Sequence, residues 1–268
     1  IAFRAGRVRG VAAGAALALL PLVLGTVAST SPIVRVGEPI RIAYHVQSPY
    51  ADLRVVDWED LRLLLVDGGT HTIIDRDTFN STFPYAMVMD IPKFMFEKPG
   101  EAVLVGLGGG SVARSYYRDG WHVDSVEIDP EMTSIAQDYF SCDAESSNVH
   151  VMDGRQYFMT TPKTYDLVLV DAFGSSSIPF HLVTREAFAL VKQRMKPGAI
   201  LRMNIEVRTW HDILAHSLAA TLRQHFAHVL ALPVAEPPNT LGNMILLASD
   251  RAMDFDESVM GDLSDLLP

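Results

Sequence analysis

Three carboxylates in this chain each close an apolar run. Glu127 ends His122–Val126, Asp153 follows Val149–Met152, and Asp171 ends Tyr165-Asp-Leu-Val-Leu-Val. Such runs are the pattern of buried parallel strands, and an acid at the carboxyl end lies where ligands of open α/β sheets bind. A glycine cluster, Gly106, Gly108, Gly109 and Gly110, follows a fourth short run, Ala102–Val105. Glycine lets the backbone turn tightly and a ligand approach without a Cβ in the way, and the helix that opens after it presents free N–H groups. Glu127 lies about twenty residues past the first glycine, the spacing at which a ribose is the usual partner. A carboxylate there can accept from both ribose hydroxyls. Asp153, followed by Gly154, is placed to take the exocyclic amine of an adenine while capping the next helix. Asp171 faces the same crevice. The plain alternative for each is a strand-end acid or a helix cap. Asp129 and Pro130 read as cap and first residue of a helix. The stretch Ala102–Asp129 thus points to a nucleoside cofactor and to an enzyme.

The elements that must hold these groups alternate. The expected strands are Ala102–Val105, His122–Glu127, Val149–Met152, Leu167–Val170 and Ala199–Asn204. The expected helices are Ser111–Arg118, Glu131–Phe140, Arg155–Met159 and Arg185–Arg194, with Pro197-Gly198 as a helix stop. His211–Phe226 reads as a further helix, and His228–Pro233 with Met244–Ala248 as a closing strand pair. This is a doubly wound, mostly parallel sheet. Ahead of it, Ile40–Ile74 alternates and is rich in β-branched residues, with a turn at Asp67-Gly68-Gly69, so a small antiparallel sheet is expected. Ser81–Phe96 reads as helical. The expected units are residues 1–31, 32–80, 81–250 and an acidic tail over 251–268. Tyr50, Asp67, His71 and Tyr85 acquire a role only if the small sheet folds over the crevice. The segment Ala172–His181 reads as a loop over the site.

Val11–Val27 carries no charge and is almost wholly Ala, Leu, Val and Gly, with Arg4, Arg7 and Arg9 before it. It reads as a transmembrane helix; an uncleaved anchor, a secretory signal ending near Ala28 and the last span of a longer protein all fit. As an only span the arginines imply an N-in orientation. The net charge of −10 over 268 residues argues against a general nucleic-acid binder. Cys142 is the only cysteine, so no disulfide framework or cysteine-based zinc site exists, and the nine histidines show no HExxH pattern. No metal is expected.

The order of motifs resembles the spermidine synthase (polyamine aminopropyltransferase) family from Ile40 to Asp250. It runs Ser48-Pro-Tyr, Leu65-Val-Asp-Gly, Tyr85, Val103–Gly110, Val126-Glu-Ile-Asp, Asp153-Gly and Tyr165–Asp171. Asp171-Ala-Phe followed by Ser-Ile-Pro-Phe-His-Leu-Val-Thr-Arg-Glu is similar to the bacterial membrane-associated branch. The resemblance implies a Rossmann-like, class I methyltransferase-like α/β domain behind an N-terminal β-sheet, on the cytoplasmic side of a membrane helix. It implies decarboxylated S-adenosylmethionine as aminopropyl donor, a polyamine such as putrescine as acceptor, and a homodimer as the expected assembly. Gly106, Gly108, Gly110, Glu127, Asp153, Gly154 and Asp171 would then bind the donor, Asp171 would serve catalysis, and Tyr85, His71 and Asp67 the acceptor.

The departures from the family pattern fall on the substrate side. Gly109 stands where the family carries an aspartate for the donor's ammonium group. Gly174 stands where it carries the aspartate expected to deprotonate the amine. His71 replaces a glutamine. Two other functions fit the scaffold: a methyltransferase using ordinary S-adenosylmethionine, and a non-catalytic nucleoside-binding domain.

Overall fold

The structure is a computed structural model that describes residues 34–35, 38–82, 88–143, 145–172, 179–207, 212–233 and 242–253. Five strands come first: β1 (Val34–Arg35), β2 (Glu38–Gln47), β3 (Asp52–Trp58), β4 (Leu61–Val66) and β5 (Gly69–Asp75). They pair antiparallel in chain order. The expected turn joins β4 to β5, with Asp67 and Gly68 both left-handed at φ 50° and 86°, the backbone that a two-residue hairpin with native twist requires.

The second sheet is built from β6 (Glu101–Val105), β7 (His122–Glu127), β8 (Asn148–Val151), β9 (Tyr165–Val170), β10 (Met195–Val207), β11 (His228–Pro233) and β12 (Gly242–Ser249). Its order is β11-β12-β10-β9-β6-β7-β8. Strands β6 to β10 run parallel, and β12 runs antiparallel to both β10 and β11. The helices are α1 (Ser111–Arg118), α2 (Pro130–Phe140), α3 (Gly154–Thr160), α4 (Arg185–Gln193) and α5 (Ile213–Leu222). One apolar cluster packs α3, α4 and α5 on one face of the sheet. Another packs α1 and Val88–Ile91 on the other face. Chain order reverses between β6 and β9, which opens a crevice at the carboxyl ends of the central strands.

The small sheet folds over that crevice. Alternate residues Leu53, Val55, Leu64, Val66 and Ile74 turn inward and pack on Met132, Ile135 and Phe140 of α2. A buried bond from Ser48 Oγ to Asp129 Oδ2 (2.5 Å) and another from Arg62 Nη1 to the Tyr139 carbonyl (2.9 Å) fasten the two sheets. The condition for the N-terminal candidates to matter is therefore met.

Three expectations need correction. The helix expected over Ser81–Phe96 begins later than Ser81, which bridges Ile74 as extended chain; residues 83–87 lie outside the described residues, 88–90 are helical, and Ile91–Met95 continues as a 3-10 turn with Pro92 in its first turn. Proline's fixed φ suits that opening position. Pro197-Gly198 stops no helix. α4 ends at Gln193, and the pair sits inside the longer β10 where its register with β9 shifts between Met195 and Ile200, an irregularity that tolerates a missing N–H. The helix expected over His211–Phe226 is Ile213–Leu222, because Asp212 caps it by accepting from Leu214 N. Among the described residues no helix is long and apolar enough to cross a membrane, and Val11–Val27 lies outside them. Tyr85, Gly174 and most of the acidic tail also lie outside the described residues.

Candidate active site

Gly106 begins the site. Its φ of 91° is open to glycine, and a Cβ there would run into the backbone of Asp171 and Ala172. The β6 and β9 ends therefore approach closely, with Asp171 N donating to the Val105 carbonyl at 2.8 Å. A cavity of about 200 Å³ lies above this contact. Its floor is Gly106, Gly108, Glu127, Asp153, Gly154 and Asp171; the small sheet supplies Tyr50, Asp67 and His71; the strap Pro179–Leu182 closes one side. All the site residues read from the sequence, outside Gly110 and the undescribed Tyr85, thus converge on one cavity. Gly110 instead caps α1 in a left-handed conformation, φ 73°.

Glu127 and Asp153 are held largely by backbone. Leu107 N donates to Glu127 Oε2 and Asp129 N to Glu127 Oε1, both at 2.9 Å. Burial pushes the Glu127 carboxyl above its ordinary range, against the pull of the Asp129 and Leu107 amides. Each oxygen keeps a lone pair for a hydroxyl donor. Gln156 N donates to Asp153 Oδ1 at 2.9 Å, and the His181 ring nitrogen Nε2 lies 2.7 Å from Asp153 Oδ2. Burial alone would raise the Asp153 carboxyl; the Gln156 amide and His181 hold it below the usual range. Asp129 caps α2 through Glu131 N, as expected.

The other end is an assembly of side chains. Asn204 Nδ2 donates to Asp171 Oδ1 at 3.0 Å. Burial raises the Asp171 carboxyl in spite of the opposing charge of the fully buried Arg202, the Asn204 bond and His71. Burial lowers the His71 imidazole, with Asp171 and Asp67 pulling the other way, so the ring is neutral at pH 7. A side cavity of about 70 Å³ shares His71, Gly108 and Asp171 and adds Asn204, Glu206 and Asn243. Glu206, at its rim, is raised by burial and by the charge of Asp171. The Asn204 carbonyl oxygen is buried and has no hydrogen-bond partner among the described residues. Two carboxylates, a free amide carbonyl and a neutral histidine make a surface of acceptors suited to N–H donors and positive charge.

Asn204, Glu206 and Asn243 were not found from the sequence. A signal existed: Arg202, Asn204 and Glu206 occupy alternate positions of an otherwise apolar strand and so share one face. A larger open cleft of about 380 Å³ lies at the amino ends of the strands, around Glu101, His122 and Asp124. Asp124 is consumed there by Lys163, Asn148 and Tyr165, which hold its carboxyl near 2 against the cost of burial.

Residues 83–258 match the model of the spermine/spermidine synthase domain. The chain belongs to the spermine/spermidine synthase family. Among curated relatives, the polyamine aminopropyltransferase of Vibrio vulnificus is 29% identical over 221 residues, covering 77% of this chain and 71% of the relative. A probable polyamine aminopropyl transferase of Bifidobacterium longum is 26% identical over 231 residues, covering 84% of this chain. The chain spans only 51% of that relative's length. Among solved structures, a probable spermidine synthase from Corynebacterium glutamicum superposes with a TM-score of 0.72 at 22% identity, covering 84% of this chain and 86% of its own.

In this member of the spermine/spermidine synthase family Gly109 is closely packed. Gly109 N donates to Thr72 Oγ1 at 3.1 Å. A Cβ at 109 would lie 2.8 Å from Thr72 Cγ2 and 3.0 Å from Phe140 Cδ1. Thr72 of the small sheet and Phe140 of α2 therefore crowd the Cβ of any larger residue at this position.

Proposed function

We propose that the chain transfers an aminopropyl group from decarboxylated S-adenosylmethionine to a polyamine such as putrescine. The observation that carries this reading is the acceptor-lined floor around Asp171 and Glu206, set directly beside the nucleoside cavity. In the reaction the amine nitrogen attacks the carbon next to the sulfonium. The carbon–sulfur bond breaks with its electrons going to sulfur, methylthioadenosine leaves, and one proton must leave the new ammonium. The positive sulfur already makes the leaving group good, so the protein's task is to align the amine and take its proton. Glu127 would hold the ribose and Asp153 the exocyclic amine of adenine. Asp171 would take the proton, and its raised carboxyl is a stronger base than an ordinary aspartate. Glu206 and the Asn204 carbonyl would receive the ammonium of the acceptor, in place of the acid missing at 174. A neutral His71 keeps a positive charge away from two cationic substrates.

The closed space at Gly109 favours a second reading. Without an acid there, the donor tail meets no carboxylate on the glycine turn, which suits ordinary S-adenosylmethionine and methyl transfer. Calorimetric titration of the full chain with both nucleosides separates the two. Tighter binding of the decarboxylated form, strengthened by putrescine, is expected; preference for the ordinary form contradicts aminopropyl transfer and supports methyl transfer. Val11–Val27, uncharged and preceded by three arginines, supports a further proposal, that a membrane helix holds this domain at the cytoplasmic face. Recovery of the full chain from cells in the soluble fraction would contradict it.

A further inference from the structure

His181 belongs to neither end of the proposed reaction, yet it touches one of its acids. The strap that carries it is fastened at several points. Leu182 N donates to the Pro179 carbonyl at 2.8 Å, Arg155 Nη1 to the His181 carbonyl at 3.2 Å, and Leu182 packs on the apolar cluster beneath. The His181 ring then reaches the cavity wall and meets Asp153 Oδ2 at 2.7 Å. An ionised carboxylate only accepts, so Nε2 carries the proton of this bond.

We propose that His181 is a positioning residue that sets the Asp153 carboxylate to receive the exocyclic amine of a purine nucleoside. The role presupposes that Asp153 meets that amine, as proposed above. Gln156 N fixes Oδ1 and the Arg155 amide also draws on the carboxylate, both from the helix side. The His181 bond adds a hold from the opposite, strap side: it takes one lone pair of Oδ2 and leaves the other for an N–H donor in the cavity. At 41% and 29% side-chain exposure the pair adds little to stability, so its effect falls on recognition. The strap thereby joins base recognition to the segment that closes the site.

The test compares two ligands of the full chain by calorimetry: methylthioadenosine and its analogue with hydrogen in place of the exocyclic amine. The wild type prefers the aminated ligand by about 10-fold. His181→Ala reduces the preference to within about 2-fold and leaves the affinity for the analogue unchanged, because only the amine contact is lost. His181→Gln, which retains an N–H donor, recovers part of it. Equal weakening of both ligands in His181→Ala shows a merely structural strap and overturns the proposal, as does an unchanged preference in that variant when Asp153→Asn abolishes it. An unchanged preference in Asp153→Asn overturns the reading of Asp153 itself, and the role of His181 with it. Thermal melting accompanies each variant; if His181→Ala fails to fold, His181→Leu supplies the same comparison.

Discussion

The two ends of the cavity are built by different means. At the end proposed for the nucleoside, Glu127 is held by the backbone N–H groups of Leu107 and Asp129, and Asp153 by the Gln156 N–H together with the one side chain His181. At the acceptor end, Asp171 is held by Asn204 from another strand, biased by Arg202 and His71, and faced by Glu206. Backbone donors survive the exchange of any side chain. A side-chain assembly can be altered by single substitutions. Of the family departures, His71 lines the Asp171 side and Gly109 sits on the glycine turn between the two ends, while Glu127 and Asp153 keep the pattern.

The largest expected effect breaks the acceptor end alone. Asp171→Asn lowers turnover by about 100-fold or more, while methylthioadenosine affinity stays near wild type; equal loss of both would mean that the two ends are not separable. The same variant has a stability consequence of opposite sign. Burial raises the Asp171 carboxyl in the folded state, so the fold binds that proton more tightly than the unfolded chain does. Stability from this group is present at low pH and lost as pH rises through the folded value. Removing the charge raises the melting temperature at pH 7, and a lower melting temperature would show that the Asp171 charge is compensated. For the same reason the acid limb of the pH–rate profile lies above the ordinary aspartate range.

Glu206→Gln sharpens the comparison. It raises the KM for the amine by about 10-fold and leaves nucleoside binding untouched; an unchanged KM removes Glu206 from the site. Gly109→Ala tests the seam between the ends. Its Cβ meets Thr72 and Phe140, so a loss of about 1–3 kcal/mol in denaturant unfolding is expected. Thr72→Ser, which removes the crowding methyl, recovers part of it. The smallest effect belongs to the fastening of the small sheet. Ser48→Ala loses the bond to Asp129, at about 1 kcal/mol of stability, with turnover near wild type.

Legibility in the sequence follows the same division. The glycine turn, Glu127, the Asp129–Pro130 cap and Asp153 are written in local grammar: an apolar run, a turn residue, an acid, a helix. The strand order around Asp171 follows from that alternation. Glu206 and Asn243 come to line one cavity with Asp171 only through the pairing of β9, β10 and β12, and no local pattern encodes that gathering. Thr72 lies 37 residues before Gly109, and its hold on the turn arises from packing of one sheet on α2. Pro197-Gly198 misled because the same dipeptide that ends helices is also tolerated at a strand irregularity.

The central claim is that the nucleoside cavity and the Asp171–Glu206 floor serve one transfer reaction. The most direct measurement is product identification by chromatography after incubating the full chain with decarboxylated S-adenosylmethionine and putrescine. Methylthioadenosine and spermidine in equal amounts, both lost in Asp171→Asn, is the predicted result. S-adenosylhomocysteine from ordinary S-adenosylmethionine, with no methylthioadenosine from the decarboxylated form, would contradict it.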